Sequence, residues 1–169
     1  MDEVLMKKII LLMLEREALD NVIFDQAFQK KIAGKLKDLS KNQPMVIKII
    51  GMEGEVMPST IGKYTGMEKS SLTRMVDDLE KKGIVFRKTD PDDRRKVLVS
   101  LTEKGLRYYN NLNEIEAEMA DEILEFVDEK DIEDYVQSLE TMVRILRKIV
   151  QVELPDSGVL ISGQIDPIR

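Results

Sequence analysis

Cysteine and histidine are both absent from the 169 residues, and together the two absences remove most site chemistry. Without cysteine there is no disulfide, no thiolate nucleophile and no thiol to sense peroxide. Without histidine there is no imidazole general base, and with both missing every ordinary zinc site is excluded. No metal and no cofactor are therefore expected. The remaining route to catalysis is a carboxylate pair such as Asp77 and Asp78, but adjacent helix positions do not face each other. No catalytic residue is assigned. Long apolar runs are missing too: the longest uncharged one, residues 9–14, compares with about 18 to 20 residues for a membrane span and about 7 to 15 for a signal-peptide core. The expectation is a soluble, cytoplasmic protein with no membrane partner. Aromatic residues are only 5%, yet with 43% apolar residues in 19.4 kDa the chain can hide roughly 70% of its unfolded surface and needs no covalent staple.

Charge is what the chain has in excess, and it is unevenly placed. The net charge of −6 argues on its own against a nucleic-acid partner. Residues 59–107, however, carry 12 basic and 8 acidic side chains, whereas residues 108–169 carry 5 and 15. One basic segment sits inside an acidic protein.

The apolar periodicity is helical at both ends and changes in the middle. Val4, Leu5, Ile9, Leu12 and Met13 mark one helical track, and Val22, Ile23, Phe28, Ile32 and Leu36 a second, with a break expected near Asp20 or Ser40. Asn42 and Pro44 suit the start of a short helix burying Met45, Val46, Ile49 and Ile50. A brief helix follows over residues 59–64, turned by Thr65 and Gly66. Leu72, Met75, Val76 and Leu79 then fall at i, i+3, i+4 and i+7, and Gly83 closes that helix. Residues 84–87 and 96–101 read as two strands, with Val97, Val99 and Leu101 on one face and a charged loop around Pro91 between them. Thr102 caps a long helix through Leu112, Ile115 and Met119. Asp128 and Asp131 start another through Ile132, Tyr135, Leu139, Met142, Leu146 and Ile149, whose spacing near 3.5 residues calls for partner helices. Pro155, Gly158, Gly163 and Pro167 suggest a loose tail, whose Val159, Leu160 and Ile161 could dock on another surface.

Helix, short helix, turn, amphipathic helix and hairpin is the order of a winged helix-turn-helix. Residues 61–105 closely resemble the MarR family of bacterial and archaeal transcriptional regulators. The resemblance rests on the ending Leu79, Glu80, Lys81, Lys82 and Gly83, on the wing Asp90, Pro91, Asp92, Asp93, Arg94 and Arg95, and on the exit Leu101, Thr102, Glu103, Lys104 and Gly105. It implies a mainly α fold with a small β-hairpin wing, a winged helix-turn-helix plus terminal dimerisation helices. Residues 41–102 would be the DNA-binding lobe, 1–40 and 103–150 a helical layer interlocking two chains, and 151–169 the tail. Two departures stand out: Glu68 occupies a position usually held by a short capping residue, and Gly62 one usually held by alanine.

The amphipathic helix fits a major groove, with its leading end toward base edges and phosphate. Its apolar stripe faces inward, which leaves Lys69, Ser70, Ser71, Thr73 and Arg74 as candidate DNA contacts. Arg74 suits a bidentate contact to guanine. Arg94 at the hairpin tip suits a narrow minor groove, and Lys88 and Lys96 beside it suit phosphates. Arg95 lies two residues from Asp93 and can contact DNA or brace the wing as an ion pair with that aspartate, a role the resemblance supports.

Two copies related by a twofold axis read a palindromic operator, so a homodimer on double-stranded DNA is expected, with repression as its output. The resemblance also implies release by a small lipophilic or phenolic effector, for which Tyr64, Arg16, Met6, Met13, Met45 and Met119 are candidate lining residues. A winged-helix module that binds protein rather than DNA is the second reading.

Overall fold

A computed structural model describes residues 2–153. The expected tail is thus outside the described residues except for its first three positions, which continue the last helix. Seven α-helices and three short strands follow in the order α1 (Glu3–Asp20), α2 (Ala27–Lys35), α3 (Gln43–Glu53), β1 (Glu55–Val56), α4 (Pro58–Thr65), α5 (Lys69–Lys81), β2 (Val85–Thr89), β3 (Val97–Leu101), α6 (Glu103–Leu124) and α7 (Glu129–Glu153). The chain does not break at Asp20. A π-helical stretch, Asn21–Gln26, carries α1 into α2, and the stop comes at Leu36.

α3 is the centre of the core and is buried on nearly every side. Val46, Ile47 and Ile50 are fully covered, packed with Ile61 of α4, Val76 and Leu79 of α5, Val99 of β3, and Leu112 and Ile115 of α6. Met45, expected inside, is 53% exposed, and Ile47 takes its place. A helix surrounded by neighbours has no single inward stripe, so a one-face reading picks the wrong residue.

The strands form one antiparallel sheet in the order β1-β3-β2. β2 and β3 make the expected hairpin, with Val85 opposite Leu101 and Thr89 opposite Val97. β1, with Glu55 opposite Ser100 and Val56 opposite Val99, is too short to leave a pattern of its own. Along β3 the predicted inward face fails at its tip, where Val97 is 44% exposed while Ser100 is buried.

Local chemistry accounts for the joints. Gly83, at φ +68°, ends α5 with the Gly83 amide donating to the Glu80 carbonyl (2.9 Å) and the Ile84 amide to that of Leu79 (2.9 Å), a two-bond cap that only a left-handed residue permits. Thr102 caps α6 by accepting from the Gly105 amide at 3.0 Å and donates to the Gly83 carbonyl at 2.7 Å. Asp128 and Asp131 each accept from the other's amide, at 2.8 and 3.2 Å, which fixes the start of α7.

α1 and α7 stand apart from this core. Neither makes an extensive contact with another element beyond α1's continuation into the π-helical stretch. Leu5, Ile9, Leu12 and Leu14 on α1 and Tyr135, Leu146 and Ile149 on α7 are all exposed in the single chain. Among the described residues no helix is long and apolar enough to cross a membrane.

Candidate nucleic-acid interface

α5 is held from behind and open in front. Leu72, Val76 and Leu79 are buried, and Met75 is half-buried against them. On the outer edge Lys69, Ser70, Ser71, Thr73 and Arg74 are exposed. The Lys69 and Arg74 side chains have no hydrogen-bond or ion-pair partner among the described residues. Thr73 differs from its expected role in one respect: its hydroxyl donates to the Lys69 carbonyl at 2.8 Å, so only its lone pairs and methyl face outward. Glu68 stands at the N-cap with extended backbone and no side-chain cap, which leaves the first-turn amides without an intramolecular acceptor there.

The acidic half of α5 is neutralised by neighbouring elements. Arg87 of β2 forks between Asp77, at 2.6 Å, and Glu80, whose carboxylate also accepts from the Arg87 amide at 3.2 Å. Lys82 pairs with Asp78 at 2.8 Å. Three carboxylates beside the expected duplex are thereby engaged, while the cations at the leading end are not. These exposed pairs add little to stability; their effect is on the local potential.

A buried polar junction fixes where the C-terminal end of α5 sits. Gln43, only 1% exposed, donates to Asp78 at 2.6 Å and accepts from the Ser40 amide at 3.0 Å and from Lys82 Nζ at 2.9 Å. Lys82 also donates to the Asp38 carbonyl at 2.7 Å, and Tyr108 of α6 donates to the Asp38 carboxylate at 2.7 Å. Hydrogen bonds from Lys82 and then Gln43 hold the Asp78 carboxyl below its ordinary range. Burial, and then Asp38, push the Tyr108 phenol up to about 12. Lys104 donates to the Lys82 carbonyl at 2.8 Å and puts a cation on the end of the α5 dipole. Gln43 escapes a sequence reading because its partners lie up to 39 positions away, and Arg87 because its partners sit on another element. Replacing Gln43 with leucine leaves buried donors and acceptors unpaired and is expected to lower unfolding stability by about 2 kcal/mol, measured by urea titration; an unchanged midpoint would deny the junction its role.

The wing is organised by its aspartates. Asp90 accepts from the amides of Asp92 (2.8 Å) and Asp93 (3.2 Å), folding the tip. Arg95 donates through Nε to Asp93 at 3.1 Å and through a terminal nitrogen at 3.3 Å, and Lys96 lies 3.8 Å from the same carboxylate. The Arg95 side-chain bond, then its amide, lower the Asp93 carboxyl. Arg94 is exposed at the tip and has no partner among the described residues. Lys88 is instead engaged by Glu55 of β1.

A second feature lies between α3 and the helices around it. Phe28, Met45, Lys48, Met52 and Tyr64 line a cleft of about 480 Å³, with Tyr64 donating to Glu53 at 2.6 Å. Two of the expected lining residues, Tyr64 and Met45, are there. Met119 is core, Met6 and Met13 lie on α1, and Arg16 pairs with Asp20 along that helix.

Comparison with known proteins agrees with this architecture. The model of the MarR family matches residues 39–97. The chain is 32% identical over 112 residues to the HTH-type transcriptional regulator SarZ of Staphylococcus saprophyticus, covering 64% of this chain and 77% of that one. It is 30% identical to the regulator MhqR of Bacillus subtilis over 56% of this chain and 66% of the relative, and spans 48% of a further relative, the uncharacterised regulator YfiV. Streptococcus pneumoniae FabT, solved in complex with DNA, superposes with a TM-score of 0.69 at 24% identity, over 82% of this chain and 96% of that one. A mutant of Escherichia coli MarR complexed with operator DNA gives 0.66 at 22% identity, over 79% and 94%. With the winged architecture, the matched segment and the SarZ relationship together, the chain belongs to the MarR family, a family of transcriptional regulators and not of enzymes.

Proposed function

We propose that the protein is a homodimer that binds double-stranded DNA at a palindromic operator, represses transcription there, and is released by a small lipophilic or phenolic ligand. The observation that carries the reading is the state of the cations. Arg74 on α5 and Arg94 on the wing are both exposed and unpartnered among the described residues, while Asp77, Asp78 and Glu80 are each held by a basic side chain. Lys69 and Arg74 outnumber Glu68 at the leading edge, and the acids further along α5 are engaged, a balance that favours a polyanion. DNA complexes among the structural neighbours support the same reading.

In this reading Arg74 reads guanine, Lys69, Ser70, Ser71 and Thr73 contact bases or phosphate, and Lys96 meets the backbone. Lys88 and Arg95, engaged by Glu55 and Asp93, act first as braces. Residues 1–40 and 103–150 form the dimer layer, since the apolar side chains they expose far exceed what a solvated monomer surface carries. The cleft beside Tyr64 has the size of a small-molecule site, with Phe28, Met45, Ile49 and Met52 as its apolar lining and Lys48 held at its wall by Glu116.

Selection of bound fragments from random duplex DNA tests the reading. Enrichment of twofold-symmetric sites with half-sites about 10 base pairs apart is expected, and recovery of unenriched sequence would contradict it. Arg94→Ala should weaken binding most on sites with A·T-rich flanks; equal loss on G·C-rich flanks would rule out minor-groove insertion.

A further inference from the structure

α5 rests on α4 and β2 and does not pack extensively on α6. What joins it to the long helix is a set of polar atoms converging on Lys82, the residue at its end. Lys104, in the first turn of α6, donates to the Lys82 carbonyl at 2.8 Å. One turn further along α6, Tyr108 donates to the Asp38 carboxylate at 2.7 Å, and the Asp38 carbonyl accepts from Lys82 Nζ at 2.7 Å. The same ammonium reaches Asp78 at 2.8 Å and Gln43 at 2.9 Å. Its three N–H donors thus meet three acceptors, which leaves none for a phosphate. The neighbouring Lys81 is exposed and makes no hydrogen bond or ion pair among the described residues.

We propose that Lys82 is a positioning residue, the point at which the helices proposed above as the dimer layer set where α5 lies, and that it thereby fixes the half-site spacing the protein accepts. This rests on the homodimer and palindromic operator proposed above and adds the side chains that set their spacing. Asp38, Lys104 and Tyr108 belong to the segments of that layer, whereas Lys82, Asp78 and Gln43 belong to the DNA-binding lobe, so the bonds at Lys82 cross from one to the other. Apolar packing of α3 on α6 holds the lobe without fixing a direction, because its energy follows buried area. Hydrogen bonds do fix one: a bond of 2.7 Å is lost by about 3.6 Å, so a displacement of about 1 Å at Lys82 breaks the set. One base pair more between half-sites moves a recognition helix by about 3.4 Å and turns it by about 34–36°, well beyond that tolerance. Lys48, which bonds Asn113 at 2.7 Å and Glu116, ties α3 to α6 in a similar way but does not reach α5.

Gel-shift titrations of the full-length protein on the selected operator, and on versions with one base pair added or removed between the half-sites, test the assignment. Wild type should lose affinity sharply at either altered spacing. In Lys82→Met and in Tyr108→Phe that loss should shrink by about tenfold, the equivalent of one hydrogen bond to a charged group, with the base preferences inside each half-site unchanged. Tyr108→Phe keeps the ring in place and covers the case in which Lys82→Met does not fold. Lys81→Met removes the same charge from the same end of α5 and should keep the wild-type dependence on spacing. A folded Lys82→Met or Tyr108→Phe variant that keeps the wild-type dependence, or that loses affinity equally at every spacing, overturns the inference and leaves the homodimer standing. So does a Lys81→Met variant that relaxes as far as Lys82→Met, since the effect would then be one of charge alone. A wild type indifferent to spacing overturns the twofold reading of the operator and this inference with it.

Discussion

Replacing Arg74 with alanine will lower affinity for the selected operator by between about 5- and 150-fold, the range for losing one bidentate base contact, and will relax preference at one base position in each half-site. The expectation follows from how α5 is seated. Its buried stripe of Leu72, Val76 and Leu79 fixes the helix rotation, so Arg74 has only the open side available. No carboxylate among the described residues competes for its guanidinium, because Asp77 and Asp78, one turn further along, are held by Arg87 and Lys82. Folding should be unaffected, since Arg74 supports nothing else among the described residues. Gel-shift titrations on the operator and on single-base variants measure the effect. A loss of equal size on every sequence would make Arg74 a phosphate contact and would move base reading to Ser70 and Thr73.

The second large effect is on stability. Gly105→Ala is expected to cost about 3 kcal/mol of unfolding free energy, because a Cβ there would lie 2.1 Å from the Ile84 carbonyl oxygen and 3.1 Å from the Leu101 side chain. The site cannot relax cheaply. Ile84 follows the glycine cap of α5, its carbonyl accepts from the Thr102 amide at 3.0 Å, and Thr102 caps α6 through the Gly105 amide itself. Moving α6 away would open the joint between α5, the wing and the long helix. Gly62→Ala is the control. Its Cβ would rest 3.5 Å from Leu72, an ordinary contact, and alanine in place of a helical glycine should stabilise by about 0.5–1 kcal/mol. Urea titration of both variants measures the pair. Equal stabilities would show that the close approach at Gly105 is not a constraint.

These two positions illustrate what can be read from the chain alone. Wherever a neighbour within four residues decides the structure, the pattern is legible: the stripe of α5, its end at Gly83, the Thr102 cap and the reciprocal bonds of Asp128 and Asp131 all follow from local spacing. The candidate contacts Arg74 and Arg94 are legible for a related reason, since each is defined by facing away from its own element. What needs distant partners is not legible. β1 exists only because Ser100 and Val99 pair with it, and Ile47 is buried because α3 has neighbours on all sides. Gln43 and Arg87 look like ordinary polar residues until the fold brings Asp78 to one and Asp77 to the other. The engagement of Lys88 by Glu55 belongs to the same class, and it changes which cations are available to a duplex.

The acidic character of the whole chain is reconciled with a nucleic-acid partner by position. The excess of carboxylates falls in residues 108–169, and α7 within that segment belongs to the layer assigned above to a second copy of the chain. A net charge summed over the chain therefore says little about the field at α5 and the wing, which falls off over about 10 Å at ordinary ionic strength.

The salt dependence of binding to random duplex DNA tests the central claim most directly, because counterion release depends on cations meeting phosphates and on no particular sequence. If α5 and the wing of two copies lie on the duplex, the logarithm of the binding constant should fall against the logarithm of salt concentration with a slope of about −4 or steeper. A slope near zero would mean that the exposed cations do not meet phosphates, and the surface of α5 would then be one that docks protein.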